Sequence, residues 1–395
     1  MPKRTVPRPE LPKATWPAVM ALRLERHHLR VRADREQLVD VARDMVGLHA
    51  QVMSAAELQL AARVDGIHPS DVRDVLWTER RLVKAWSMRG TLHLLTPEDL
   101  VSFVAAAATR ERWHEATWLR YVGMTEAQVE GLIAAVGDLL SDQPMTRAAL
   151  ADGIAERLGD PKLASALRSG WGTFLGAPGQ RGVLCFGTSD GRNVTFVRPS
   201  AWLGRPVAAS EQRSPRDPID ALAGLVRRFL AAFPGSSRDM IGRWWGAVRA
   251  SLVSQALERL GDNVTGVDIQ GVRAWALRED LPLLLAAKPF EGVRLLPGFD
   301  PFVNELPRRT EGLLPVGHHE RIYRTAGWVT PVVLVDGRVA GTWELTAGKT
   351  GGLAVQPFER LPKTAIRALD AEADRLAAFL ERPLVVTVAA PLDDA

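Results

Sequence analysis

The chain has 395 residues, of which 46% are apolar and 24% charged, the balance of a globular protein large enough for more than one hydrophobic core. Its longest apolar runs, LVSFVAAAA and LPLLLAA, fall far short of the ~20 residues a membrane helix needs, and no apolar segment follows the basic start MPKRTVPRPELPKATWP, so a cytoplasmic protein is expected rather than a secreted or membrane one. The lone cysteine excludes an intrachain disulfide, and a net charge of +4 permits a polyanionic partner without demanding one.

Residues 1–16 read as a flexible arm. From 17 to 60, apolar residues recur three and four apart in PAVMALRLERHHL, in DREQLVDVARDMVGLHAQ with Asp34 as its N-cap, and in SAAELQLAARV, where Ser54 and Glu57 form the pattern of a capping box. HPSDVRDVLWTERRL, capped by Ser70, predicts another short helix. The period then changes, and LVKAWSMRGTLHLLT alternates like two strands joined at Arg89-Gly90. Helices followed by a hairpin make the pattern of a winged helix, assigned here to 17–122.

That pattern recurs over 123–204, with helices in TEAQVEGLIAAVGDLLSDQPMTRAALADGIAERLG and KLASALRSGWGTFL and a hairpin turning at Asp190-Gly191. A Pro- and Ser-rich stretch, RPVAASEQRSPRDP, opens the segment 205–288, which holds a third copy. Thr146 and Ser237 stand at matching places as N-caps. From 289 to 395 the texture is β, with Asp336-Gly337 as a hairpin turn, a helix over 362–381 and a last strand in PLVVTVA. The expected architecture is α+β: three tandem winged-helix domains followed by a small C-terminal β-barrel or curled sheet.

Few familiar catalytic patterns are present. There is no phosphate-binding glycine loop, no HExxH and no GxSxG. His318-His319-Glu320 lacks the spacing of a metal site, so neither metal nor cofactor is expected. His27-His28 reads as surface, and Cys185 in GVLCFG as a buried small hydrophobe. GLHAQVMS at 47–54 is more pointed. It sets His49 and Gln51 two residues apart at a helix junction, where an extended backbone turns both to one side. Arg80, Arg81, Lys84 and Arg89 surround the first hairpin together with Trp86, a grouping suited to phosphate contacts and to a wedge between bases. Arg168 in the second copy and Arg243 in the third offer further basic positions for DNA.

VGLHAQ, MRGTLHLLTPED, LLPGFDPFV and VLVDGRVAGTWE, in that order, resemble the AlkZ-like family of winged-helix DNA glycosylases, over about 17–390 of the chain. The resemblance implies a DNA-sized channel framed by three winged helices and a β-barrel. It also implies excision of alkylated purines, including bulky adducts and crosslinks in some members. The family's catalytic Gln-x-Gln or Gln-x-Asp maps onto His49 and Gln51, so the second position matches and the first departs. On this resemblance His49 and Gln51 are the candidate catalytic pair. Arg89, Thr91 and His93 of RGTLH belong to the site, and Asp300 and Arg338 close the channel from the barrel side. No lysine neighbours the pair in sequence, which favours a monofunctional glycosylase over a Schiff-base lyase. The expected partner is double-stranded DNA, preferably alkylated, bound by a monomer; the alternative is a non-catalytic winged-helix DNA-binding protein or regulator. With an imidazole pKa near 6.5, a neutral active form of His49 predicts activity that falls below about pH 6.

Overall fold

Leu48–His49 form a two-residue strand that pairs antiparallel with Leu92–Leu95, which pairs in turn with Val83–Trp86. The computed structural model describes residues 10–246, 249–308, 313–346 and 351–392, and this small sheet is the first of four among them. The hairpin turns where expected: Arg89 and Gly90 both take left-handed backbone, at φ 58° and 69°. Helices Leu38–Asp44, Met53–Ala61 and Pro69–Arg73 cover the sheet through Leu38, Val41, Leu60 and Val72, packed on Leu48 and Leu94. Two caps differ from expectation. The Ala50 N–H still bonds the Leu92 carbonyl, so the chain leaves the sheet only at Gln51, and the next helix starts at once after Val52 rather than at Ser54. Glu57 is consequently buried against Arg73 instead of capping. His68 rather than Ser70 precedes the following helix, with Asp71 accepting its N–H at 2.8 Å.

The second unit repeats the plan. Met145–Thr146 pairs with Asn193–Val197, which pairs with Cys185–Asp190. Its helices are Glu126–Leu139, Arg147–Leu158 and Pro161–Gln180. Thr146 caps the middle one, its Oγ1 accepting the Ala149 N–H at 3.3 Å. In the third unit, helices Pro218–Ala232, Arg238–Trp245 and Ala250–Leu260 accompany the hairpin of Val264–Ile269 and Val272–Leu277. A single bridge, Ser236 to Trp275, stands where the other units have a short strand, and Ser237 caps the next helix at 3.2 Å.

This third sheet corrects the expected arm. Lys13–Ala14 add to it as a parallel strand, with the Asp268 N–H bonded to the Pro12 carbonyl at 2.8 Å. Residues 1–9 lie outside the described residues. The helix that follows, Trp16–Arg26, wedges Trp16, Val19 and Met20 between the third unit and the C-terminal sheet, away from the core of the first unit. His27, at the end of that helix, is therefore buried rather than at the surface, edge-on to Phe233 with Nε2 3.1 Å from the Ala232 carbonyl.

The C-terminal strands run in the order Val293–Leu296, Val332–Val335, Arg338–Thr346, Gly351–Pro357, Leu384–Val388. Helix Lys363–Phe379 makes the crossover that renders the last pair parallel. Of the two expected forms it is the curled sheet that is found, a half-barrel that does not close into the small barrel: among the described residues its first and last strands are each paired on one side only. The alternation along Val332–Val335 gives the reason. Val332 and Leu334 pack toward helix Trp16–Arg26, while Val333 packs with Leu369 and Ala373 of the crossover helix. Both faces are covered, so closure is not needed to bury them. No helix among the described residues is long and apolar enough to cross a membrane.

Candidate active site

His49 lies directly across the first sheet from His93. Its ring meets that of His93 edge-on, centroids 5.3 Å apart, and stacks on Phe299 of the C-terminal part at 4.6 Å with 15° between planes. The site thus forms where the first unit's short strand abuts the turn LPGFDPF. Gly47, at φ 100°, lets the chain enter that strand, since a Cβ there would sit 2.6 Å from a Leu95 methyl. Gln59 Nε2 fixes the strand from below by donating to the His49 carbonyl at 3.1 Å. Ala50 points into the core, while Gln51 is exposed, its Oε1 accepting the Leu92 N–H at 3.5 Å. That contact leaves the Gln51 amide donors for a ligand.

Burial dominates the electrostatics. It pushes the His49 pKa down to about 3, helped by the charges of Arg89 and Lys84. His93 is held well below the ordinary histidine value, again by burial first and then by His49. Its Nδ1 lies 3.1 Å from the Thr91 carbonyl, which can only accept, so Nδ1 carries the proton of a neutral ring. His49 Nδ1 is buried without a partner among the described residues. The expected loss of the neutral form near pH 6 is therefore corrected: His49 stays neutral throughout the range in which the protein would work.

Arg89 reaches the same region from the hairpin turn. Its Nη1 donates to Glu305 Oε1 at 3.0 Å and to the Trp244 carbonyl at 3.2 Å. Thr91 closes that turn, its hydroxyl donating to the Met88 carbonyl at 3.2 Å. Arg243 is close to this group, held by Asp239 at 3.0 Å and the Leu306 carbonyl at 3.4 Å.

Other expected DNA contacts have different occupations. Trp86 is core, only 5% exposed and 5.2 Å from the Phe186 ring, so it is no wedge. Arg80 lies 3.7 Å over the Trp202 ring and donates to its carbonyl, and Lys84 lies over Phe186, so both tie the first unit to the second. Arg81 pairs with Glu79 and Arg168 with Asp152, both exposed. Arg338 is exposed beside the Asp336-Gly337 turn. Asp300 is wholly buried: its two oxygens take Arg63 Nη1 and Nη2 at 2.8 Å each, and Oδ1 caps Phe302 at 2.9 Å. It cannot close a channel on DNA; it joins helix Met53–Ala61, through Arg63 just beyond its end, to the C-terminal turn. Arg63, Phe299 and Glu305 were not singled out in the sequence, and Phe299 alone stood inside a motif that pointed here. Among the described residues no three His, Cys, Asp or Glu side chains gather as metal ligands, and burial pushes the Cys185 thiol up.

The model of the DNA glycosylase AlkZ-like family matches residues 42–379. The chain belongs to the AlkZ-like DNA glycosylase family. The interstrand DNA cross-link repair glycosylase of Streptomyces sahachiroi is 33% identical over 368 residues, covering 92% of this chain and 96% of the relative. The solved structure of Streptomyces sahachiroi DNA glycosylase AlkZ matches with a TM-score of 0.86 at 32% identity, over 95% of this chain and 100% of that one.

Proposed function

We propose that this chain is a monofunctional DNA glycosylase that removes N7-alkylated purines, bulky adducts included, from duplex DNA, with its three helix-and-sheet units acting as winged helices on the backbone. The support is a buried His49 whose pKa is pushed down to about 3, two residues before an exposed Gln51, together with the likeness to a relative named for cross-link repair.

An N7-alkylguanine is cationic and leaves readily. The C1′–N9 bond breaks with its electron pair going to the purine, which departs neutral. A water adds to the oxocarbenium-like C1′ and releases its proton to solvent. What the protein must supply is placement of that water and a field that tolerates a cationic sugar. An imidazole with a pKa of about 3 is too weak a base to hold the proton near pH 7. His49 therefore acts by orienting the water and by adding no positive charge beside the sugar. Gln51 holds the sugar–phosphate or the same water through its amide.

The test is duplex DNA carrying one N7-alkylguanine, incubated with protein in excess and then heated in alkali. Strand scission at the adduct and none in undamaged duplex supports the reading. Tight binding without scission across small and bulky adducts would leave a DNA-binding protein instead.

A further inference from the structure

Glu305 is a buried carboxylate, only 2% exposed, surrounded by positive charge. Burial pushes its pKa up, and Arg89, Arg243, Arg308 and Arg23 oppose that shift; Arg23 donates to the Glu305 carbonyl at 3.3 Å and Arg243 to the Leu306 carbonyl at 3.4 Å. It has one direct ion-pair partner among the described residues, Arg89, whose Nη1 it takes at 3.0 Å, and its Oε2 is buried without a hydrogen bond. Asp239 pairs with Arg243 on the outer side, which leaves Glu305 as the buried carboxylate facing these guanidiniums, and the cluster stays net cationic. The cluster also bridges three parts of the fold. Arg89 comes from the first hairpin, Arg243 from helix Arg238–Trp245, and Glu305 from the turn after helix Pro301–Asn304.

The way Arg89 is held is informative. Only its Nη1 is used, shared between Glu305 and the Trp244 carbonyl. Nε and Nη2 have no partner among the described residues, and the side chain is 26% exposed. With Nη1 anchored and the side chain partly exposed, Nε and Nη2 form the free edge of the guanidinium, the two-pronged edge that fits a phosphate. The backbone approach is tight, since a Cβ on Gly246 would fall 2.9 Å from the Arg89 Cα, which fixes the turn that carries the side chain. Arg89 turns the hairpin whose second strand sets His93 directly across from His49, the two rings 5.3 Å apart, so a phosphate held at that turn lies near His49.

We propose that Glu305 is a positioning residue for DNA: its buried carboxylate clamps Nη1 of Arg89 so that the free Nε and Nη2 grip the phosphate beside the nucleotide presented to His49 and Gln51. The inference rests on the DNA-processing reading above. Glu305 touches no DNA itself and acts only through Arg89.

The experiment measures the affinity of wild type, Glu305→Gln and Arg89→Ala for duplex DNA holding an abasic-site analogue over a range of salt, alongside thermal melting and single-turnover excision. Loss of one phosphate contact lowers the slope of log K against log salt by about 0.9. Glu305→Gln is expected to show that loss, matching Arg89→Ala, and to slow excision on the order of a hundredfold through misplacement. An unchanged slope with only a lower melting temperature would make Glu305 structural and overturn the proposal. A steeper slope would mean that Glu305 competes with phosphate, and would overturn it too. If Glu305→Gln does not fold, Arg89→Ala/Glu305→Ala is compared with Arg89→Ala. Equal slopes uphold the route through Arg89; a further loss contradicts it. Wild-type binding with the expected slopes but no excision of any adduct would sink the glycosylase reading and leave the Glu305 clamp standing.

Discussion

The ring of His49 stacks on that of Phe299, centroids 4.6 Å apart, although the two residues lie in different parts of the fold. Burial, then the charges of Arg89 and Lys84, lowers the His49 pKa, and this stack contributes to the burial by replacing water on one face of the imidazole.

The rate of excision should therefore be flat between pH 5 and 8. At pH 5 a group with a pKa of about 3 is protonated in only about one molecule in a hundred, and below that the fraction rises. Phe299→Ala admits water, lets the pKa climb back toward 6.5 and should create an acidic limb below about pH 6. Single-turnover rates for both proteins across this range check the point. An acidic limb in the wild type, or none in the variant, would contradict it.

Acid should weaken the fold itself. His27, His49 and His93 all have folded pKa values below their unfolded ones, so the unfolded chain binds more protons once pH falls under about 6.5. Their contribution is full above that value and is lost as pH drops toward the folded values. Between pH 7 and 5, each ring that stays neutral in the fold costs about 2 kcal/mol of stability. Urea unfolding at the two pH values measures the sum, and His27→Phe should blunt it.

The Arg63–Asp300 pair sets another expectation. Both side chains are fully buried and bonded through two nitrogens. Asp300→Ala strands a buried guanidinium and should destabilise by roughly 3–5 kcal/mol. Urea denaturation reads this directly. A variant of normal stability that merely lost DNA affinity would restore the channel-closing role expected from sequence.

Trp86 gives the same kind of discrimination at the junction of the first two units. Gly179 abuts its indole, where an added Cβ would lie 2.5 Å from Cε3. Gly179→Ala should cost about 1–3 kcal/mol by overpacking, and Trp86→Ala about 3–5 kcal/mol through the cavity it leaves. Equal stabilities with impaired strand opening would point back to a wedge.

Local pattern carried much of this molecule. The hairpin turns follow from Gly90 and from Asp336-Gly337, residues that tolerate left-handed backbone, and the Thr146 and Ser237 caps from side chains that accept a free N–H. His49 and Gln51 could be picked out because they stand two residues apart in VGLHAQ, where the resemblance puts the family's catalytic pair. What sequence did not disclose depends on distant partners. Lys13–Ala14 pair with a strand some 250 residues on, and nothing local marks them for it. The half-barrel stays open because helices from both ends of the sequence cover its faces. Arg80, Trp86 and Asp300 looked like DNA contacts because charge and aromaticity are visible in a string of letters, whereas Trp202, Phe186 and Arg63, which engage them, are not adjacent to them. The low pKa of His49 belongs to the same class, being set by burial, to which Phe299 contributes, and then by Arg89 and Lys84.

The most direct test is single-turnover excision of N7-alkylguanine from duplex DNA by wild type, His49→Ala and Gln51→Ala, with binding measured in parallel. Catalysis by the pair predicts abasic sites from wild type and a loss on the order of a hundredfold or more in each variant, with DNA affinity retained. Abasic sites formed equally by all three proteins, or by none, would contradict it.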